Sequence, residues 1–374
     1  MGCAFTNHAV RLAAASSSGP LKLVVLERCE VACAASGRAG GFLARNWCSG
    51  PAAVLAETSF DMHAAFAADI AASRPPAEAD ALGYRSLPTF FAASAASPVA
   101  ARHRGPDADH DAVAWLDRDA VASIECRDDG ATTAQITPRP YTRALLDDAI
   151  RRANAAPAVD VELIEGAAVT GLLYSAHGLV AGVTWHPASD PSHACELAAD
   201  DVVLAMGPWT GRADDWLPED ARGLLDIDGQ PAFSLVLDPQ THVAAAAVFL
   251  DANTVDCEIY PRPDGSVYVC SGNVPTYDLP DSPRQQLEDV VRASSSALAA
   301  APRSSSHACF LPIRTSNDAV PLIGRVIDNQ PLYVAAGHSC WGILNSQATG
   351  LALAELVLTG KARTLDLRPF APSR

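Results

Sequence analysis

The opening of the chain limits the possible folds more than any other feature. Met1-Gly2-Cys3 heads an alanine-rich stretch from Ala4 to Ala15 that reads as a helix, closed by Ser16-Ser17-Ser18-Gly19-Pro20. The apolar strand Leu21-Lys22-Leu23-Val24-Val25-Leu26 follows and ends in an acid, Glu27. A helix leading into a buried strand that ends in a carboxylate is the second half of a dinucleotide-binding βαβ unit. Gly2 stands where the third glycine of G-x-G-x-x-G belongs, and Glu27 where the ribose-binding acid belongs. The first strand and the first two glycines have no counterpart, so Met1 reads as an internal methionine or an alternative start. The expected consequence is a parallel sheet without its central strand, whose neighbours carry unpaired backbone and exposed apolar surface.

The rest of the chain predicts an α/β plus α+β architecture: a Rossmann-like nucleotide-binding domain, truncated at its first strand, with an inserted, mostly antiparallel β domain for substrate. Helices are expected over Ser59 to Ala72, from Pro140 through Ile150 to about Ala153, over Ser282 to Leu298 and over Ala348 to Leu358. Strands are expected over Val159 to Leu163, Leu179 to Trp185, Asp201 to Met206 and Pro331 to Gly337. Residues 229–272 alternate apolar and polar residues between turn signals such as Pro263-Asp264-Gly265, the pattern of an antiparallel sheet. Residues 98–112, with Pro98, Pro106 and the crowd His103, Asp107, Asp109, His110 and Asp111, read as a solvated, mobile loop with nothing apolar around it to frame a metal. The domain division is 1–60, 138–218 and 315–374 for the nucleotide-binding part, and 61–137 and 219–314 for the substrate part.

A net charge of −16 argues against nucleic acid or an acidic membrane surface as partner and fits a small-molecule substrate. Ten cysteines are scattered without C-x-x-C spacing, the closest pair being Cys29 and Cys33, so neither a disulfide framework nor a metal site is expected. The scattered cysteines make a reducing, intracellular compartment the expectation, and no signal peptide or apolar run of bilayer length is legible. The cytoplasm is the default, and an organelle becomes possible if the start lies upstream. Met1 to Thr6 matches a myristoylation pattern, but the truncated-motif reading of Gly2 explains the same residues better.

Three stretches carry the chemistry. Glu27 can take both hydroxyls of an adenosine ribose and repels a 2′-phosphate. After it, with Arg28 alongside, comes a small-residue loop, Ala35-Ser36-Gly37-Arg38-Ala39-Gly40-Gly41, whose backbone can approach a pyrophosphate or flavin ring closely. Near the end, Gly337-His338-Ser339-Cys340-Trp341-Gly342-Ile343, followed by Ala348-Thr349-Gly350, is a strand, a glycine turn and a helix start. The positive end of that helix suits the pyrimidine side of a reduced flavin. A nucleophile elbow is excluded, because Ser339 lacks the G-x-S-x-G frame.

With these residues in view, the chain resembles the D-amino-acid oxidase superfamily of FAD-dependent oxidoreductases, which includes glycine and sarcosine oxidases. Four ordered segments carry the resemblance: Leu26-Glu27 with Ala35 to Gly41; Val202-Val203-Leu204-Ala205-Met206-Gly207-Pro208-Trp209-Thr210; Asp318-Ala319-Val320-Pro321-Leu322-Ile323-Gly324; and Gly337 through Gly350. Glu258 to Gly265 together with the Gly337 turn is most similar to little-characterised oxidoreductases of fungi, plants and algae. The resemblance implies a non-covalent FAD held by Gly2, Glu27, Arg28, Ala35 to Arg38, Gly40 and Gly41. It also implies adenine against the backbone of Val169, further contacts at Gly207, Trp209, Gly337 and Ser339 to Trp341, and the pyrimidine edge near Gly342 and Ile343.

The implied reaction oxidises the C–N bond of a small amine or amino acid by hydride transfer to flavin N5, with the electron acceptor unassigned. The family arginine that holds a substrate carboxylate is replaced by Leu311-Pro312. Arg262 and Arg314 are the candidate substitutes, with a surface ion pair as the bland alternative for each. His338 and Tyr260 are candidates for tuning substrate protonation, and equally for structural roles. Cys309 lies near the position of covalent flavin attachment in sarcosine oxidases, but its longer spacing to Asp318 favours a buried free thiol. The competing readings are an inactive relative that binds FAD weakly and acts as a binding protein or represents an incomplete gene product, and an NAD-dependent dehydrogenase, which has no use for the Gly337 turn.

Overall fold

The computed structural model describes residues 1–16, 19–95, 97, 107–252, 255–271, 282–316 and 320–372. Pro98, His103, Pro106, Asp318 and Ala319 of the sequence reading lie outside them.

The first helix spans Gly2–Ala15 and buries Ala4, Phe5, Ala9 and Val10. It crosses the last helix, Gly342–Thr359, so closely that a Cβ on Gly350 would stand 2.6 Å from the carbonyl carbon of Ala4; only glycine fits that crossing. A third helix, Pro138–Asn154, packs on the other side, and buried Asn7 ties to it through Asp148 Oδ2 at 3.0 Å.

The parallel layer is in two pieces. Leu21–Glu27 pairs in parallel with Val159–Glu165 and, among the described residues, with no other strand. Val202–Leu204 pairs in parallel with Leu332–Ala336, whose far edge takes Leu322–Arg325 in antiparallel register. Among the described residues Leu21–Glu27 and Val202–Leu204 are therefore both edge strands of their pieces. The side chains of Leu23 to Leu26 are only half-buried, whereas those of Leu332–Ala336 are fully buried.

A meander of Ala167–Tyr174, Val180–Pro187 and Cys195–Ala198 flanks this layer. The second large element is a seven-stranded sheet in the order Arg303–Arg314, Ile227–Leu237, Val267–Ser271, Asp256–Pro261, Ala247–Asp251, Thr89–Ser94, Val121–Asp128. All its neighbours run antiparallel except Ala247–Asp251 with Thr89–Ser94. The period-two pattern decides its faces. Cys257, Ile259, Val267 and Val269 join a core with Leu287, Val290 and Leu298, while Glu258, Tyr260, Tyr268 and Cys270 fall on the opposite face.

Several elements differ from the sequence expectation. The segment Ala35–Arg38 of the small-residue loop is a helical turn, because Gly37 folds back to donate its N–H to the carbonyl of Ala34 at 3.0 Å. The last helix starts at Gly342, six residues before Ala348, since Leu344 to Gln347 are buried and nothing in the sequence stops it. The helix expected over Ser282 to Leu298 breaks at Ser295, whose hydroxyl caps a new short helix by accepting the N–H of Leu298 and itself donates to Trp115 O. The helix expected from Ser59 runs from Pro51 to Ser73, across the expected boundary at residue 60. Asp107–Val113 is a 3₁₀ helix rather than loop: Val113 and Leu116 anchor it in the sheet core and bury His110, which the polar composition of the segment concealed.

Candidate active site

Tyr260, Tyr268 and Glu258 come together on the outer face of the seven-stranded sheet because their registers make them cross-strand or same-face neighbours. Tyr260 lies opposite Tyr268, and Glu258 opposite Cys270 on one side and Phe249 on the other. The Tyr260 and Tyr268 rings stack with centroids 6.2 Å apart and 4° between planes; Phe42 stacks on Tyr260 at 5.4 Å and 5°. Phe249, Trp47 and Phe91 extend this aromatic surface.

The segment Arg38 to Phe42 is clamped onto that face. Tyr268 donates its hydroxyl to Arg38 O at 2.9 Å, and Arg262 donates from Nη2 to Ala39 O at 3.2 Å. A Cβ on Gly40 would stand 2.6 Å from the Tyr260 ring, one on Gly41 (φ +88°) 2.0 Å from Ile136 O, and one on Gly37 2.0 Å from Ala32 O. Protein neighbours thus require Gly37, Gly40 and Gly41 to lack a side chain. Arg38 itself is exposed and donates to Ala308 O at 2.7 Å.

Glu258 is the residue the sequence reading missed. Its Oε2 accepts the Tyr260 hydroxyl, and the Cys270 thiol at 3.5 Å. Surrounding protein pushes its carboxyl above the ordinary range, with Tyr260 and Cys270 partly opposing by hydrogen bonding. It nonetheless keeps part of its surface open, and its charge reaches Cys340. The signal available in the sequence was alternation: Glu258 shares the parity of Tyr260 within a strand whose other face is apolar. Burial also drives the Tyr260, Tyr268 and Cys270 protons well above their usual range, so these groups act as hydrogen-bonding neutrals.

The other candidates fall into separate places. Arg262 lies over the Tyr268 ring, 4.9 Å from its centroid, and its buried Nε has no partner. Arg314 is not a surface residue: its side chain is 8% exposed and its Nε pairs with Asp226 Oδ1 at 3.1 Å, beside Gly337. That pair replaces the solvated one expected from sequence. His338 is buried and bonded through Nε2 to Thr349 Oγ1 at 3.1 Å; burial lowers its pKa to about 3, so it is a neutral, fixed ring. Cys309 is half-buried on Arg303–Arg314, opposite Ala232.

At the end of Leu21–Glu27, Glu27 closes its strand and accepts the Cys29 N–H at 3.0 Å, while Arg28 is exposed. Val169 packs with Leu26 against the core beneath the Val202 strand. Gly2 and Gly342 each open a long helix, of 14 and 18 residues, with no side-chain cap. Beside them the nearest atom to an added Cβ is 3.5 Å away for Gly2, at Ala205, and 3.8 Å for Gly342. Gly207 (φ +56°) has open space beside it, and Trp209 nearby is 36% exposed. Ser339 holds a left-handed backbone (φ +51°) in the turn Ser339–Trp341 that delivers Gly342 and Ile343 to the head of the helix, with Cys340 exposed. Thr210 Oγ1 and Asn345 Oδ1, each next to one of these glycine turns, are buried without partners. All ten cysteines are free thiols, and no helix among the described residues is long and apolar enough to cross a membrane.

Residues 6–356 match the family described as FAD dependent oxidoreductase. A Schizosaccharomyces pombe protein named as an oxidoreductase is 24% identical over 377 residues, covering 94% of this chain and 90% of its own. Among solved structures, glycine oxidase from Geobacillus kaustophilus superposes with a TM-score of 0.75 at 19% identity, covering 100% of this chain and 95% of that one. L-proline dehydrogenase from P. horikoshii gives 0.74 at 16% identity, covering 100% and 94%. The family match spans nearly the whole chain, and the chain belongs to the family of FAD dependent oxidoreductases.

Proposed function

We propose that this chain oxidises the C–N bond of a small amine or amino acid at the aromatic face around Glu258. The residues fit FAD: two long helices begin at glycines with no side-chain cap, and orphaned polar atoms of Thr210 and Asn345 adjoin the glycine turns. Glu27 would hold the ribose, Val169 the adenine, and Gly342 and Ile343 the pyrimidine edge. FAD, when bound, supplies the hydride acceptor at N5.

The chain's own residues do the rest. The single observation that carries the reading is a partly open carboxyl with a raised pKa, set in an aromatic surface. Tyr260 and Cys270 bond to Oε2 of Glu258, which leaves Oε1 for an N–H of the substrate. A substrate ammonium passes its proton to Glu258, and the amine then carries the free lone pair that hydride loss from its carbon requires. Tyr260, Tyr268 and Phe42 exclude water and fix the carbon skeleton. Arg262, with its unpartnered Nε, is the group available for a substrate carboxylate, because Arg314 is committed to Asp226. Water hydrolyses the released imine.

The test is anaerobic mixing of the FAD-loaded protein with a panel of primary and secondary amines and amino acids. The expected result is bleaching of the flavin band by at least one class, more slowly in Glu258→Gln. A flavin that dithionite reduces but no amine or amino acid bleaches would refute the proposal. That outcome would favour a non-catalytic, weakly FAD-binding relative, the reading supported by the one-sided pairing of Leu21–Glu27 and Val202–Leu204.

A further inference from the structure

We propose that Glu27, Cys29 and Cys33 form a binding site for a thiophilic divalent cation of the zinc class, and that the cation competes there with the ribose of FAD. The second part rests on the reading of Glu27 as the ribose carboxylate. Spacing alone hides the site, since Cys29 and Cys33 do not make a C-x-x-C pair and the third ligand precedes both. The fold assembles it. Glu27 ends its strand, and Ala32 takes a left-handed backbone (φ +63°) that returns the chain, so Cys33 Sγ lies 3.9 Å from Glu27 Oε1. One ligand atom from each of the three residues lies within 4.8 Å of the other two.

Two thiolates and a carboxylate are a zinc donor set. Tetrahedral coordination with Zn–S of about 2.3 Å sets sulfur–sulfur separations near about 3.8 Å, so the ligands need to close by about 1 Å at most. The site sits at an exposed loop, where that movement meets little resistance and a fourth position stays open for water. The surrounding charges offset one another, Glu165 opposite Glu27 and Glu30 after Cys29 being paired with Arg139 and Arg143, so the donor set itself carries the selectivity. Binding balances as one M²⁺ taken up and two thiol protons released. The cation then occupies the carboxylate oxygen that a ribose hydroxyl would use.

Cd²⁺ is the probe, because its thiolate charge-transfer absorption reports sulfur ligation directly. The full chain, with and without FAD, is titrated with Cd²⁺ alongside Cys29→Ser, Cys33→Ser and, as control, Cys126→Ser. Circular dichroism and thermal midpoints check that each variant folds. The expected result is a saturable band of one equivalent, with affinity reduced at least about tenfold in Cys29→Ser and in Cys33→Ser but not in Cys126→Ser. Cd²⁺ should also raise the apparent Kd for FAD in the wild-type chain and leave it unchanged in Cys29→Ser/Cys33→Ser. No band, or a band that both single variants retain, overturns the site. A band lost in the variants while FAD affinity ignores Cd²⁺ supports the site and overturns the competition, and with it the ribose reading of Glu27. Because sulfur ligation is read without substrate, failure of the proposed amine oxidation leaves this test intact.

Discussion

Acid should unfold this protein partly through one histidine, and the hydrogen bonds around His63 fix the size of the effect. His63 is fully buried on the helix Pro51–Ser73. Its Nε2 reaches Ile343 O at 3.1 Å and Leu344 O at 2.9 Å; both are carbonyls, so Nε2 must carry the proton. The neutral ring then accepts at Nδ1 from the Tyr141 hydroxyl at 2.7 Å, and that hydroxyl in turn accepts from Gln347 Nε2 at 2.7 Å. A second proton on Nδ1 would leave two donors facing each other. Burial alone lowers the pKa to about 4 from 6.5, with the two carbonyls pulling the other way. The unfolded chain therefore binds more protons between those values, and the stability present above pH 6.5 is lost as pH falls toward 4. Integrating over that window gives about 2 kcal/mol lost between about pH 7 and about pH 4.5. His63→Gln keeps a donor and an acceptor but does not titrate. Urea unfolding of both proteins at the two pH values is the assay, and the variant should lose about 2 kcal/mol less than the wild type on acidification. Equal losses in the two proteins would refute the reasoning, whatever the variant costs at neutral pH.

Other consequences are open to measurement. Glu258→Gln should slow flavin reduction by amine on the order of 10²-fold while leaving FAD affinity unchanged, as stopped-flow absorbance and a binding titration would show. Gly40→Ala pushes a methyl into the Tyr260 ring and should cost about 1–3 kcal/mol in urea unfolding. Arg314→Met strands the mostly buried Asp226 and should cost about 3 kcal/mol, which urea unfolding midpoints check.

Much of this architecture was legible because the local signals are strong. The first helix and the strand after it follow from an alanine-rich run, a serine–glycine–proline stop and an apolar segment ending in Glu27, and all of these elements form. The boundaries moved where tertiary contacts overrule local propensity. Gly342 opens the last helix because the buried segment Leu344 to Gln347 extends it, and Ser295 breaks another because its hydroxyl serves both Trp115 O and Leu298 N. His110 is buried by a core that lies far away in sequence. Glu258 was hidden for a similar reason. A carboxylate in an alternating strand reads as solvent-facing, and only the Arg38 to Phe42 segment, more than 200 residues earlier, closes over its face.

The glycine loop shows how packing within the fold can itself require the glycines of a motif. Gly37, Gly40 and Gly41 are each required, but by Ala32 O, the Tyr260 ring and Ile136 O. Such glycines let a segment lie flat between a sheet face and a neighbouring strand, and that flat segment shapes the aromatic surface where Glu258 sits. Gly2, Gly207 and Gly342 differ, since an added Cβ would meet nothing within 4 Å at Gly207 and only ordinary contacts at Gly2 and Gly342. Glycines with one sequence signature therefore differ in how tightly protein surrounds them. Alanine substitution separates them: in the first group it should lower stability, and in the second it should weaken FAD binding while the unfolding midpoint of the apoprotein holds, apart from the strain of a positive φ at Gly207.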